Sequence, residues 1–169
     1  MMNTYRLWIY RTMTSWMPET RFFGLKVALL RWCGAKVGKN VRINSSAVFT
    51  GNGRLEIGDD VWIGAGDVIS PIAPAGVFLG SHIDIGPQVM ILTGSHEIDP
   101  HCEHIGGKGM TARVKIGDGC WLGVRSIILP GVELPRKTLV AAGAVVIRTI
   151  TEECCLLAGV PAEVKKKYK

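Results

Sequence analysis

Aliphatic residues return at every sixth place along most of this chain. From Ile116 the sequence runs IGDGCW, LGVRSI, ILPGVE, LPRKTL, VAAGAV and then Val146. Positions 116, 122, 128, 134, 140 and 146 are therefore all Ile, Leu or Val. Upstream the same step joins Val37, Ile43 and Phe49, then Ile57, Ile63 and Ile69, then Leu79, Ile85 and Ile91. Two extra residues follow the first triplet, four the second, and nineteen the third. Every insertion falls after a third hexad.

A helix cannot use a step of six, because 3.6 residues per turn would walk the aliphatic position around the cylinder. An ordinary strand would be weakened by the glycine that recurs after it. Flat sides of six residues, three to a coil, account for both facts. The aliphatic residue points into a prism, and Gly38, Gly58, Gly64, Gly80, Gly86, Gly117 and Gly123 permit tight geometry beside it. Insertions confined to one corner fit the same architecture, because a corner extrudes a loop without breaking the stacking. The expected fold is an all-β solenoid of about five coils over residues 37–151, with an extruded loop at 95–113.

The flanks lie outside the repeat. Residues 1–36 read as a helical cap or arm over the first open coil. Within them Pro18 to Trp32 forms a short helix, with Phe22, Leu25, Leu29 and Trp32 on one side. A second reading of residues 1–32 is peripheral membrane contact through Leu7, Trp8, Trp16 and the neighbouring arginines. Residues 152–169 read as a C-terminal segment in which Gly159-Val160-Pro161-Ala162 begins a short basic helix.

Composition narrows the picture. The chain is 47% hydrophobic but 7% aromatic, so the core is built from small aliphatics. The net charge of +6 suits phosphates, acidic glycans or membrane headgroups. Nucleic acid is not expected, since aromatic and basic residues do not interleave as a base-stacking platform requires. Cys33, Cys102, Cys120, Cys154 and Cys155 form no CxxC and suggest reduced thiols in the cytoplasm. The first residues show no signal-peptide pattern, and no apolar run approaches the ~20 residues that cross a bilayer.

Candidate chemistry gathers in the nineteen-residue excursion, which holds three of the four histidines. His96 is the one adjacent to the coil. A backbone held by the sheet and a ring free to face solvent suit a general base working near neutral pH. Asp67 occupies a fifth hexad place, and it alone among the fifteen such places from Val41 to Ile150 is charged. A charge there must be partnered or used. Substrate binding and a structural turn contact are both open to it.

The hexads, with Thr93-Gly94-Ser95-His96-Glu97 at the mouth of the loop, resemble the hexapeptide-repeat acyltransferases. The likeness covers roughly residues 37–162 and lies with the galactoside, maltose, exopolysaccharide and lipopolysaccharide O-acetyltransferases. It implies a left-handed parallel β-helix; the spacing alone would not give the hand, since crossovers are ordinarily right-handed. It further implies a homotrimer that moves an acetyl group from acetyl-CoA to a hydroxyl of a sugar or surface-glycan precursor, without a metal. His96 would be the base in a direct attack, with Glu97 orienting it, meeting the acceptor, or standing only as a solvated charge. Asp67 would stand at the acceptor-binding place where relatives often have asparagine. Trp121 would line the CoA tunnel and face the acceptor, and it or backbone N–H groups would steady the oxyanion. Gly123, Val124, Ala142 and Gly143 would touch the pantetheine arm, and Arg148, Lys165 and Lys166 the CoA phosphates. Glu163 departs from the pattern, standing where the family often has Arg or Lys.

Other readings compete. Within the family, the acceptor could be an amino sugar or serine. A metal-dependent, carbonic-anhydrase-like hydratase would need ligands such as His82, His96 and His101. A non-catalytic scaffold is the third.

Overall fold

A computed structural model describes residues 1–168. The chain winds as a left-handed parallel β-helix with three stacked sides. The first side stacks β1 (Lys36–Val37), β4 (Arg54–Ile57), β7 (Gly76–Leu79), β12 (Val114–Ile116) and β15 (Glu133–Leu134). The second stacks β2 (Arg42–Ile43), β5 (Trp62–Ile63), β8 (Asp84–Ile85), β13 (Trp121–Leu122) and β16 (Leu139–Val140). The third stacks β3 (Val48–Phe49), β6 (Val68–Ser70), β9 (Met90–Leu92), β14 (Ile127–Ile128) and β17 (Val145–Val146). All these pairings are parallel and in the hexad register, as in Ile85 beside Leu122 and Leu122 beside Val140. Fourteen of the fifteen hexad residues are buried, and Val37, at the base, is half-buried.

The recurring glycines answer to stacking. None of the seven named above has a positive φ. A Cβ at Gly123 would instead lie 2.6 Å from the amide nitrogen of Ala142 in the next coil. Left-handed backbone sits elsewhere, chiefly at two of the corners. Asn40, Asp60, His82, Gly119, Lys137 and Cys154 line the corner between the first and second sides. Gly66, Gln88, Arg125 and Gly143 line the corner between the second and third. Non-glycine residues in this conformation cost ~1–2 kcal/mol each, which the ladder above and below must offset.

Three expectations about the flanks are corrected. First, the C-terminal segment is a hairpin and not a helix: β18 (Cys155–Gly159) adds parallel to β16, and β19 (Ala162–Lys167) returns antiparallel. Cys155 and Leu157 alternate inward to close the top of the core, a period of two that a helix would scatter. Second, the cap holds two helices, α1 (Thr4–Thr14) and α2 (Phe23–Trp32). The buried side of α2 is Lys26, Val27 and Leu30, while Phe22, Leu25 and Trp32 are exposed. A lysine can face inward because its Nζ donates to the Glu19 carbonyl (2.8 Å) and Ser45 Oγ (3.1 Å). Burial pushes its pKa down. Third, Leu7 is a core residue, packed with Tyr10 beneath the first coil, and presents nothing to a membrane.

Candidate active site

The excursion after the third coil is an ordered hairpin arm, β10 (Gly94–Ile98) against β11 (Gly106–Thr111). It leaves the corner between the third and first sides. Thr93 anchors its root: fully buried, its Oγ1 accepts the Ile72 N–H (2.7 Å) and donates to the Ser70 carbonyl (3.0 Å). Gly94 presses on the coil below, where a Cβ would lie 2.5 Å from Ile72 Cδ1. Beyond that root, Ser95, His96, Glu97 and Ile98 are all exposed. His96 pairs across the ribbon with Gly109, so no side chain stands opposite its ring. Its position is set by backbone, two residues from a rigid coil. Glu97 alternates to the opposite face of the ribbon and makes no hydrogen bond to His96 among the described residues.

Trp121 projects from the outer face of the second side, 56% exposed, between Asp84 and Leu139. Val124, Ala142 and Gly143 meet at the adjoining corner, where the Gly143 N–H donates to the Val124 carbonyl (2.9 Å), and all three are exposed. Gly123, half-buried, donates to the Val140 carbonyl (2.8 Å). Arg148 stands close enough to Glu163 to help hold that carboxyl below its ordinary range, after the larger effect of Lys165, which bonds it at 2.9 Å. Lys166 lies on the Tyr168 ring at 5.0 Å. The unexpected Glu163 therefore neutralises part of a basic cluster at the top of the prism.

Asp67 is turned inward. It is 0% exposed, and its two carboxylate oxygens accept the backbone N–H of Gly64 (2.7 Å) and of Val89 (2.9 Å). Burial pushes its pKa up to about 7, although both N–H bonds favour the charged form. The turn contact fits this geometry; with both oxygens occupied and no surface, Asp67 has nothing to offer an acceptor.

The residues thus fall on two edges of the molecule. His96 stands where the third side meets the first; Val124, Ala142 and Gly143 stand where the second meets the third. The third side lies between them, and about five residues at ~3.3 Å each hold the edges ~15 Å apart. The outer face of that side carries an apolar row, Val48, Val68, Met90, Ile127 and Val145, with Ser70 and Leu92 beside it. The first side, by contrast, is largely charged, with Lys36, Glu56, Lys115 and Glu133 around Phe78. Within the chain the histidines stand apart. His82 lies on another corner beside Asp60 (3.5 Å), and no cluster of three His, Cys, Asp or Glu side chains occurs among the described residues. Sequence reasoning missed Thr93 as the arm's anchor, although it heads the motif that drew attention to His96.

The chain is thus a left-handed prism with an exposed histidine on an arm at one corner. Residues 113–148 match the family model described as the hexapeptide repeat of succinyl-transferase. The "Putative colanic acid biosynthesis acetyltransferase WcaF" of Escherichia coli K12 is 31% identical over 147 residues, 86% of this chain and 77% of its own. Among solved structures, a maltose O-acetyltransferase from Clostridium difficile 630 superposes with a TM-score of 0.71 at 21% identity, covering 98% of this chain and 86% of that one. The hexapeptide-repeat acetyltransferase VCA0836 of Vibrio cholerae, solved with acetyl coenzyme A, gives a TM-score of 0.68 at 20% identity, covering 98% and 87%. The chain belongs to the hexapeptide-repeat acetyltransferase family and is an acyl-CoA-dependent acetyltransferase.

Proposed function

We propose that this enzyme transfers acetyl from acetyl-CoA to a hydroxyl of a sugar or surface-glycan precursor in the cytoplasm, as a homotrimer with a site between each pair of chains. The observation that carries the reading is the placement of His96 and the Val124–Ala142–Gly143 corner on opposite edges of one apolar side. Packing that side around a three-fold axis brings the His96 edge of one chain against the glycine-bearing corner of the next. The same packing covers Val68, Met90 and Ile127, and gives the exposed arm, with Ile98 and Ile105, a neighbour to rest on.

Acetyl-CoA then lies along the corner, with Trp121, Gly123 and Val124 beside its arm and Arg148, Lys165 and Lys166 nearer its phosphates. A neutral His96 takes the proton of the acceptor hydroxyl as its oxygen attacks the thioester carbonyl. The tetrahedral oxyanion collapses, the carbon–sulfur bond breaks, and the imidazolium returns the proton to the departing thiolate. Carbohydrate as acceptor is supported by the names of WcaF and the maltose O-acetyltransferase. Release of free CoA thiol across hydroxyl sugars, amino sugars and serine tests it. Release that depends on sugar hydroxyls and disappears in His96→Ala is expected. Release with amino sugars or serine alone, or unchanged in the variant, overturns it.

A further inference from the structure

The two helices at the base of the prism are apolar on their outer sides as well as their inner ones. In α1, Leu7, Tyr10 and Thr14 face the first coil. At 100° per residue the opposite stripe is Tyr5, Trp8 and Thr12, continued by Trp16 just past the helix end. Tyr5, Trp8 and Trp16 are 70%, 64% and 88% exposed, and the Tyr5 and Trp8 rings stack with centroids 6.1 Å apart. The outer stripe of α2 is Gly24, Leu25, Ala28 and Trp32, without a charge. Arg6 joins the stripes: its guanidinium lies 4.9 Å from the Trp32 ring centre and donates to the Trp32 carbonyl.

The charges around these stripes are of one sign. Arg6, Arg11, Arg21 and Arg31 surround them, while Glu19, the lone acid in residues 1–32, is drawn back to the coil by the Ser46 N–H (3.1 Å). Along the prism, three of the six arginines are ion-paired, in Arg54–Glu56, Arg113–Glu133 and Arg136–Glu153. Among the described residues Arg11 and Arg21 have no ion-pair partner.

We propose that this cap docks on an anionic phospholipid surface. Tyr5, Trp8 and Trp16 enter the boundary between headgroups and acyl chains, and Arg11 and Arg21 meet lipid phosphates. Charge complementarity selects lipid as the occupant over a second copy of the cap, which would set these arginines against their own kind. Geometry agrees: eleven residues of helix span ~16 Å, about half of the hydrocarbon core, so α1 lies in the surface and does not cross it. No helix of the described residues is long and apolar enough to span.

Flotation of the full chain with vesicles of phosphatidylcholine, alone or mixed with phosphatidylglycerol, tests this. Binding to the mixed vesicles, a blue shift of tryptophan emission, and weakening by about tenfold or more in Trp8→Ser/Trp16→Ser are expected. Arg11→Glu/Arg21→Glu should weaken binding comparably, and rising salt should weaken the wild type. Both double variants should keep the wild-type melting temperature and acetyl transfer, since none of the four residues is in the core. Wild type that floats with neither vesicle, or a tryptophan variant that floats as wild type does, overturns the proposal. So does a higher-order assembly that breaks up in the tryptophan variant, because the occupant is then a second copy.

Discussion

The prism and the arm are made of the same extended backbone, yet they constrain sequence in opposite ways. In the prism each inward place is held by the coils above and below, so Ile85 fits between Ile63 and Leu122 and little else would. In the arm, residues 95–98 are held by backbone pairing with β11 while their side chains are exposed, and what they carry is free to serve chemistry. The link between the two is small: Thr93 and Gly94 on Ile72 and Ser70. A rigid body thus aims the proposed base, His96, through two residues, which predicts that stability and activity separate cleanly between the regions.

His96→Ala gives the largest effect: a ~10²–10⁴-fold fall in kcat, measured by thiol release, with no change in melting temperature. Leu122→Ala, in the middle of the prism, should do the reverse, losing about 2–5 kcal/mol in urea unfolding while the remaining folded enzyme turns over normally. An equal fall in both measures for either variant would erase the distinction between the regions. Thr93→Val sits on the boundary. It leaves the buried Ile72 N–H without its acceptor, costing ~1–3 kcal/mol, and should lower kcat about tenfold at constant KM by loosening the arm's root.

Stability should also show a slope with pH. The Asp67 pKa is raised to about 7 from an unfolded value of 3.8, so between those values the folded chain holds a proton that the unfolded chain has released. Its contribution to stability is complete below about pH 4 and is lost as pH rises through about 7. Urea midpoints should fall across that window, and Asp67→Asn should flatten the fall. It should also cost ~1–3 kcal/mol throughout, since an amide nitrogen would face a backbone N–H.

What could be read from the sequence follows the same division. The coils were legible because stacking demands an aliphatic residue at each flat side, and from Ile116 to Val146 nothing interrupts the count. The left-handed corner residues were not, since Asn40, His82, Lys137 and Cys154 share no side-chain chemistry, only a backbone angle. The C-terminal hairpin was misread because a lysine run drew attention from the inward alternation of Cys155 with Leu157. The inner side of α2 was misread because an inward lysine is visible only with its two acceptors in place. At the site, His96 stood out by its position at the loop mouth. Asp67 stood out by its charge, but only the Gly64 and Val89 amides show which way it turns.

The central claim is that one chain's histidine serves another chain's cofactor corner. Mixing two inactive variants tests it: His96→Ala, which lacks the base, and Ala142→Trp, which blocks the corner while leaving the coil intact. If sites form between chains, randomly mixed oligomers of equal parts regain about a quarter of wild-type activity, because one site in four joins an intact histidine to an intact corner. If mixing restores nothing, each site lies within a single chain, and the account is wrong.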